Sequence, residues 1–289
     1  MKQSSKLTEA ERAEALAAGV EVPTPDKTRL DLLTQSKRAY APIPNMFVQN
    51  PNQNLRDRSA LLASFVRRRD IRGLQMYLLL NAIISSGDKG WYAAKPLEVW
   101  ARAIGATEFA QGKSANTATS KILGRLAELK LIEKTREGGM VKVTLLRPDG
   151  SGKPYTRPSA GNTDKFFNLS NKYWTDGWHR KLSPAATAML LVALHEKPGF
   201  DLVSERAPAW YGISADTVER GFKELKELGL LRVVPGYRSE SQVEGGIVKF
   251  NRYWVQEPFD KPDLFDEFLV PPKKTVKKAK PKTKENRNG

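Results

Sequence analysis

Apolar positions recur at helical spacing in two separated stretches of the chain, and each stretch ends in a pair of short alternating runs. From Asp70 to Ser86, Ile71, Leu74, Tyr77 and Leu78 lie three and four apart and lead into an apolar run ending at Ile84, which predicts a long helix. Trp91-Tyr92, after the Gly87–Gly90 turn, reads as a short strand. Pro96 to Ile104 reads as a second helix, with proline near its first turn and Gly105 at its end. A polar loop from Thr107 to Lys113 leads into a third helix from about Ser114 to Lys130. Leu131 to Lys134, a Gly138-Gly139 turn and Met140 to Leu145 then predict a β-hairpin.

The same order returns later. Ser183 caps a helix opened by Pro184 and running to about Glu196, and Ser204 to Trp210 is a short second helix. After the Tyr211-Gly212-Ile213 turn, Ser214 caps a third helix from Ala215 to Leu228 that stops at Gly229. Leu230 to Val234 and Gly246 to Trp254 read as strands around a long, partly charged loop. Ahead of both halves, Thr8 to Ala18 is a short helix with Thr8 as N-cap, Glu11 in the capping-box position and Gly19 at the stop. From Val20 to Asn54, Pro23, Pro25, Pro42, Pro44 and Pro51 predict an extended arm with no long helix, packed in part through Leu30, Leu32, Leu33, Tyr40, Ile43, Met46 and Phe47. Arg147 to Asp164, rich in Gly, Pro and Ser, reads as a linker. The expected organisation is therefore an arm over residues 1–54, a first domain over 55–147, a linker over 148–165, a second domain over 166–258 and a C-terminal segment over 259–289.

The two halves align on each other. Leu126, Leu129, Leu131 and Ile132 match Leu225, Leu228, Leu230 and Leu231 at one offset of about 99 residues, and Leu123 matches Phe222. Two units of this size account for that spacing better than a solenoid does. The phrase from Val218 to Leu231, VERGFKELKELGLL, resembles the segment of winged helix-turn-helix proteins that closes the recognition helix and enters the wing hairpin. The resemblance covers Asp70 to Leu146 and Ser183 to Trp254. It implies a mainly α fold with small β-hairpins (α+β), built as two tandem winged helix-turn-helix domains. Tandem units of this kind recur in bacterial transcription regulators, plasmid-type replication initiators and chromosome-condensation subunits.

Charge sharpens the picture. Lys and Arg outnumber Asp and Glu by 48 to 32, for a net charge of +16, and the pI is near 9.9. Such an excess favours a polyanionic partner, with nucleic acid first and an anionic membrane surface second. The tail beyond Pro271 carries Lys273, Lys274, Lys277, Lys278, Lys280, Lys282, Lys284 and Arg287 with no apolar face, which predicts a disordered basic tail acting through charge alone. There is no Cys and there are two His, which excludes disulfides, thiolate metal sites and the usual zinc ligand sets. The N-terminus lacks a secretory apolar stretch and no apolar run is long enough to cross a bilayer, so a soluble, cytoplasmic, nucleoid-associated chain without a membrane partner is expected.

In the helix-turn-helix mode, outward residues near the start of the second helix of the motif meet base edges. In the first unit these are Lys113, Ser114, Asn116, Thr117, Ser120 and Lys121, with Arg125 further along reaching the backbone. Asn suits adenine, and Ser or Thr suits bases or phosphates. In the second unit they are Ser214, Thr217, Arg220 and Lys223, beside Asp216, Glu219 and Glu224. Wings add Lys134, Arg136 and Lys142 in the first unit and Arg232, Tyr237, Arg238 and Lys249 in the second. Arg67, Arg68 and Arg69 precede the first long helix and read either as a phosphate clamp or as a solvated helix start. Because no acid lies between Gln111 and Arg125, the first unit is the expected reader.

No catalytic residue, cofactor site or metal site is expected. His179 and His195 sit in no nucleophile or metal motif, and Gly150-Ser151-Gly152-Lys153 falls in the linker without a strand–loop–helix context. The expected function is therefore sequence-specific binding of double-stranded DNA by a transcriptional regulator, not an enzyme. A plasmid or mobile-element replication initiator is the alternative within that class. A protein-interaction scaffold, motivated by Asp216, Glu219 and Glu224, is the alternative outside it, and a protein partner or homodimer is left open.

Overall fold

The computed structural model describes residues 7–52, 54, 56–87, 90–110, 112–158 and 164–260. It is a mixed α+β chain with small antiparallel sheets. Helix α1 (Glu9–Ala17) carries the capping box between Thr8 and Glu11 and buries no residue; Arg12 ties it to Glu98 at 3.1 Å. Helix α2 (Pro25–Ser36) corrects the expected arm. Thr24 accepts a hydrogen bond from the Lys27 backbone, and Pro25 occupies the first helical position, where a missing N–H costs nothing. Proline here starts a twelve-residue helix rather than forbidding one; of the arm residues expected to pack, Leu32, Leu33, Ile43, Met46 and Phe47 are buried, whereas Leu30 and Tyr40 are exposed.

Strand β1 (Tyr40–Pro44) follows, and among the described residues it pairs with β6 (Phe166–Ser170), from beyond the first unit. The flanking bonds, Asn45 N to Lys165 O and Asn171 N to Ala39 O, turn the odd-numbered residues of β1 toward that partner. Pro42 and Pro44 therefore present their missing donors to the unpaired side. The N-terminal segment is thus woven into the fold instead of lying along it.

Helix α3 (Leu61–Arg68), not expected from the sequence, buries Leu62, Ala63 and Phe65. Helix α4 (Ile71–Ile83) is capped by Asp70 and buried on nearly every side, and Arg38 donates to the Ala82 and Ile84 carbonyls at its C-terminal end. The first unit continues with β2 (Ser86–Gly87), β3 (Gly90–Lys95), α5 (Leu97–Ala103), α6 (Gly112–Glu128), β4 (Ile132–Glu137) and β5 (Met140–Leu145). The strands form one sheet in the order β2-β3-β5-β4. Gly138 and Gly139, both at positive φ, make the tight turn between β4 and β5.

The stretch after β5 is anchored to this unit up to residue 158. Arg147 forks onto Asp164 at 2.8 and 3.0 Å, Tyr155 packs edge-on against Trp91, and Arg157 stacks on Trp91 while donating to the Ile84 carbonyl.

The second unit comprises α7 (Lys172–Thr175), α8 (Trp178–Lys181), α9 (Pro184–His195), α10 (Ala207–Tyr211), α11 (Ala215–Glu227), β7 (Leu231–Ser239) and β8 (Ile247–Val255). Helix α9 is the counterpart of α4 and is buried from Ala186 to Leu194. Helix α11 crosses it at Gly221, where a Cβ would lie 2.6 Å from Met189 Cγ and 2.7 Å from the Ala185 carbonyl oxygen. Strand β7 is nine residues long, reaching past the expected end at Val234, so the connection to β8 shortens to residues 240–246.

Buried residues of both units and of the N-terminal segment form one contiguous cluster, from Leu32 to Phe259. An ionic clasp reinforces it. Asp26 on α2 receives both Arg29 and Arg180, and Arg180 also meets Glu108 of the turn before α6. The basic tail expected beyond Pro271 lies outside the described residues.

Candidate nucleic-acid interface

Helix α6 divides its residues cleanly. Ala115, Thr119, Ile122, Leu123 and Leu126 face the core, while Lys113, Ser114, Thr117 and Lys121 are exposed and Asn116 and Ser120 half-buried. The helix is presented by the turn after α5, where Gly105 takes a left-handed conformation and a short 3-10 turn, Ala106–Glu108, redirects the chain. Lys113, Asn116, Thr117, Ser120 and Lys121 line one open concavity of about 420 Å3 together with Leu97 of α5 and Arg136 of β4. Helix and hairpin thus converge on a surface whose lining includes three cations and no acid. Ser114 is exposed on the first turn of α6, outside that lining.

Other expected residues are engaged elsewhere. The Lys134 ammonium donates to the Ser120 carbonyl at 3.1 Å and its hydroxyl at 2.9 Å, so it braces the hairpin against α6. Desolvation, then the nearby Arg136 charge, lowers the Lys134 pKa. Arg125 forks onto Asp70 at 2.7 and 2.8 Å, welding the last turn of α6 to the start of α4. Burial alone would raise the Asp70 pKa, but the Arg125 bonds and the Gly73 N–H hold it below the usual value. Arg67 and Arg68 end α3, and Arg69 is its left-handed C-cap. All three are exposed, on the corner beside Asp70, and so at the end of α6 away from Lys113. They close one helix rather than open the next.

The second unit presents a different surface. The Ser214 hydroxyl is taken by the α11 cap, 3.3 Å from the Thr217 N–H and 2.9 Å from the Thr217 hydroxyl. Arg220 folds back onto Asp216 at 2.9 Å, and Lys223 approaches Glu227 at 4.0 Å. Glu224 turns inward and accepts from the Ser183 N–H and hydroxyl, capping α9, so only Asp216 and Glu219 of the three expected acids are displayed. On the hairpin, Tyr237 is 70% exposed and Arg238 reaches Asp201 at 3.3 Å.

Both histidines are accounted for. His179 is buried and donates from Nδ1 to the Tyr173 carbonyl at 3.3 Å; desolvation, then the Arg29 charge, pushes its pKa down to about 4. His195 pairs with Glu196, which also accepts a short hydrogen bond from the Tyr211 hydroxyl. Among the described residues, no three His, Asp or Glu side chains are grouped as a metal site, and no helix is long and apolar enough to cross a membrane. Comparison with protein-family models, with curated proteins and with solved structures finds no match.

Proposed function

We propose that the chain is a sequence-specific binder of double-stranded DNA acting as a transcriptional regulator, with its two units arranged as winged helix-turn-helices. The observation that carries this reading is the convergence of Lys113, Asn116, Thr117, Ser120 and Lys121 with Arg136 on one acid-free concavity. The Asn116 amide and the Thr117 and Ser120 hydroxyls suit base edges, and Lys113, Lys121 and Arg136 suit phosphates. The helix that bears them is held at its middle by Lys134 on Ser120 and at its last turn by Arg125 on Asp70, which supports a fixed presentation. The net charge of +16 supports a polyanionic partner.

In this reading the chain binds and does not catalyse, its histidines serving in the core and at a helix end. The test is selection from a random duplex library by the whole protein at near-physiological salt. Enrichment of a defined motif is expected. Uniform recovery of all sequences would overturn the reading of a specific binder.

A further inference from the structure

One face of the second unit's hairpin is used by the core only at its base, where Trp254 is buried, and is left free beyond it. Cross-strand partners share a face, so Val233 with Tyr253 and Leu231 with Val255 point inward, where Tyr253 packs between Phe200 and Phe222 at 5.3 and 4.7 Å. The opposite face carries, in order along the hairpin, Arg232 with Trp254, Val234 with Arg252, Gly236 with Phe250, and Arg238 with Val248.

On that face the Arg238 and Arg252 guanidiniums each lie 5.5 Å from the centroid of the Phe250 ring. The ring lies across the facing strand because position 236 has no side chain: a Cβ there would fall 2.8 Å from Phe250 Cζ. Strands β7 and β8 hold Arg232, Arg238, Lys249 and Arg252 and no acid. Arg252 and Lys249 are exposed and enter no ion pair among the described residues. Helix α11 offers no such free cations. With Glu224 turned inward it displays Asp216, Glu219 and Glu227 beside Arg220, Lys223 and Lys226, with Arg220 paired to Asp216 and Lys223 near Glu227.

We propose that the second unit holds duplex DNA by this hairpin face and not by its helix, with Arg252 and Arg238 set on the Phe250 ring to contact phosphates and read no base. The proposal rests on the reading of the chain as a DNA-binding protein and assigns unlike roles to its halves. Stacking on the ring limits the rotamers of two flexible side chains before DNA arrives, so less freedom is lost on binding. Arg238 exchanges its exposed partner Asp201 for a phosphate, while α11, whose displayed acids match its cations, is kept off the groove.

The experiment is a salt titration of the whole protein against a random-sequence duplex of about three helical turns, for wild type, Arg252→Ala and Phe250→Ala, with melting curves to confirm folding. Arg252→Ala is expected to make the slope of log K against log salt shallower by about 0.9, an affinity loss of about eightfold at 0.1 M salt for curves that meet at 1 M. Phe250→Ala is expected to weaken binding severalfold with the slope unchanged, since every cation remains. Arg252→Ala with wild-type affinity and slope would overturn the clamp, as would tighter binding of the matching single strand than of the duplex. If wild type binds the duplex and selects a motif while Arg252→Ala changes nothing, the clamp fails alone. If wild type binds no duplex, the underlying reading fails with it.

Discussion

His179 shows how a single residue type can be present for packing and still leave a mark on solution behaviour. Its imidazole is buried beside Tyr173 and Trp174, with ring centroids 6.3 and 5.1 Å away, and its pKa is depressed to about 4. The unfolded chain protonates near the ordinary histidine value of 6.5, so between those values the unfolded state binds the extra proton. The stability this residue contributes is therefore complete above about pH 6.5 and is lost as pH falls toward 4, by roughly 3 kcal/mol at most. His179→Gln should flatten that part of the stability–pH curve in denaturant titrations, and an undiminished decline would assign it to other groups. The sequence shows that His179 belongs to no motif; it does not show burial, because how Tyr173 and Trp174 fold onto the ring, and Gln75 onto its backbone, is set by tertiary packing.

Two helical glycines give predictions of opposite sign at the scale of the element. Gly221 sits where α11 meets α9, with Met189 and the Ala185 backbone inside the space of a Cβ. Gly221→Ala should destabilise the protein by about 1–3 kcal/mol, because backbone cannot yield as a side chain can. Gly124 on α6 has no atom within 4 Å of the same construction. Gly124→Ala should stabilise by about 0.5–1 kcal/mol through helix propensity alone. Thermal melts of both variants check the pair, and a shift in the same direction for both would contradict this account of α6 and α11.

Elements with local punctuation were legible in the sequence: Thr8, Ser183 and Ser214 cap the helices expected of them, and the Gly138-Gly139 turn makes its hairpin. What was missed lacks such signals or sends them ambiguously. Pro25 reads as a breaker when counted with its neighbours and as a helix start only once Thr24 is recognised as the cap. Helix α3 is eight residues long and ends in two arginines with a third as its C-cap, and β1 is a strand only because β6, more than a hundred residues away, pairs with it. The candidate site divides in the same way. The outward residues of α6 follow from its period, whereas the loss of Arg125 and Lys134 to Asp70 and Ser120 depends on side chains the sequence does not bring together.

At the scale of the whole molecule, the clasp at Asp26 joins the N-terminal segment, the turn before α6 and the second unit. Arg29, almost wholly buried, also donates to the Ala103 carbonyl at 2.9 Å, so its charge depends on Asp26 for compensation. Asp26→Asn should lower stability by about 1–2 kcal/mol, since Asp26 is itself half exposed and Arg29 keeps its bond to the Ala103 carbonyl; equilibrium unfolding in urea measures it, and a loss below the error of the extrapolation would remove the clasp from the account.

Net charge acts on the same scale but without geometry. A chain ending at Val270, lacking the lysine-rich tail, should bind all duplexes more weakly and with a flatter salt dependence, while keeping its ratio of preferred to scrambled sequence. A loss confined to the preferred sequence would contradict that role.

The central claim is that α6 reads bases. Its most direct test is the ratio of affinities for the selected duplex and its scrambled counterpart, measured at one salt concentration for wild type and for Asn116→Ala combined with Thr117→Ala. Each good base contact discriminates by about 1–3 kcal/mol. The account predicts that the ratio falls by about tenfold or more while affinity for the scrambled duplex changes little. A ratio equal to that of wild type would contradict it and remove α6 from sequence recognition.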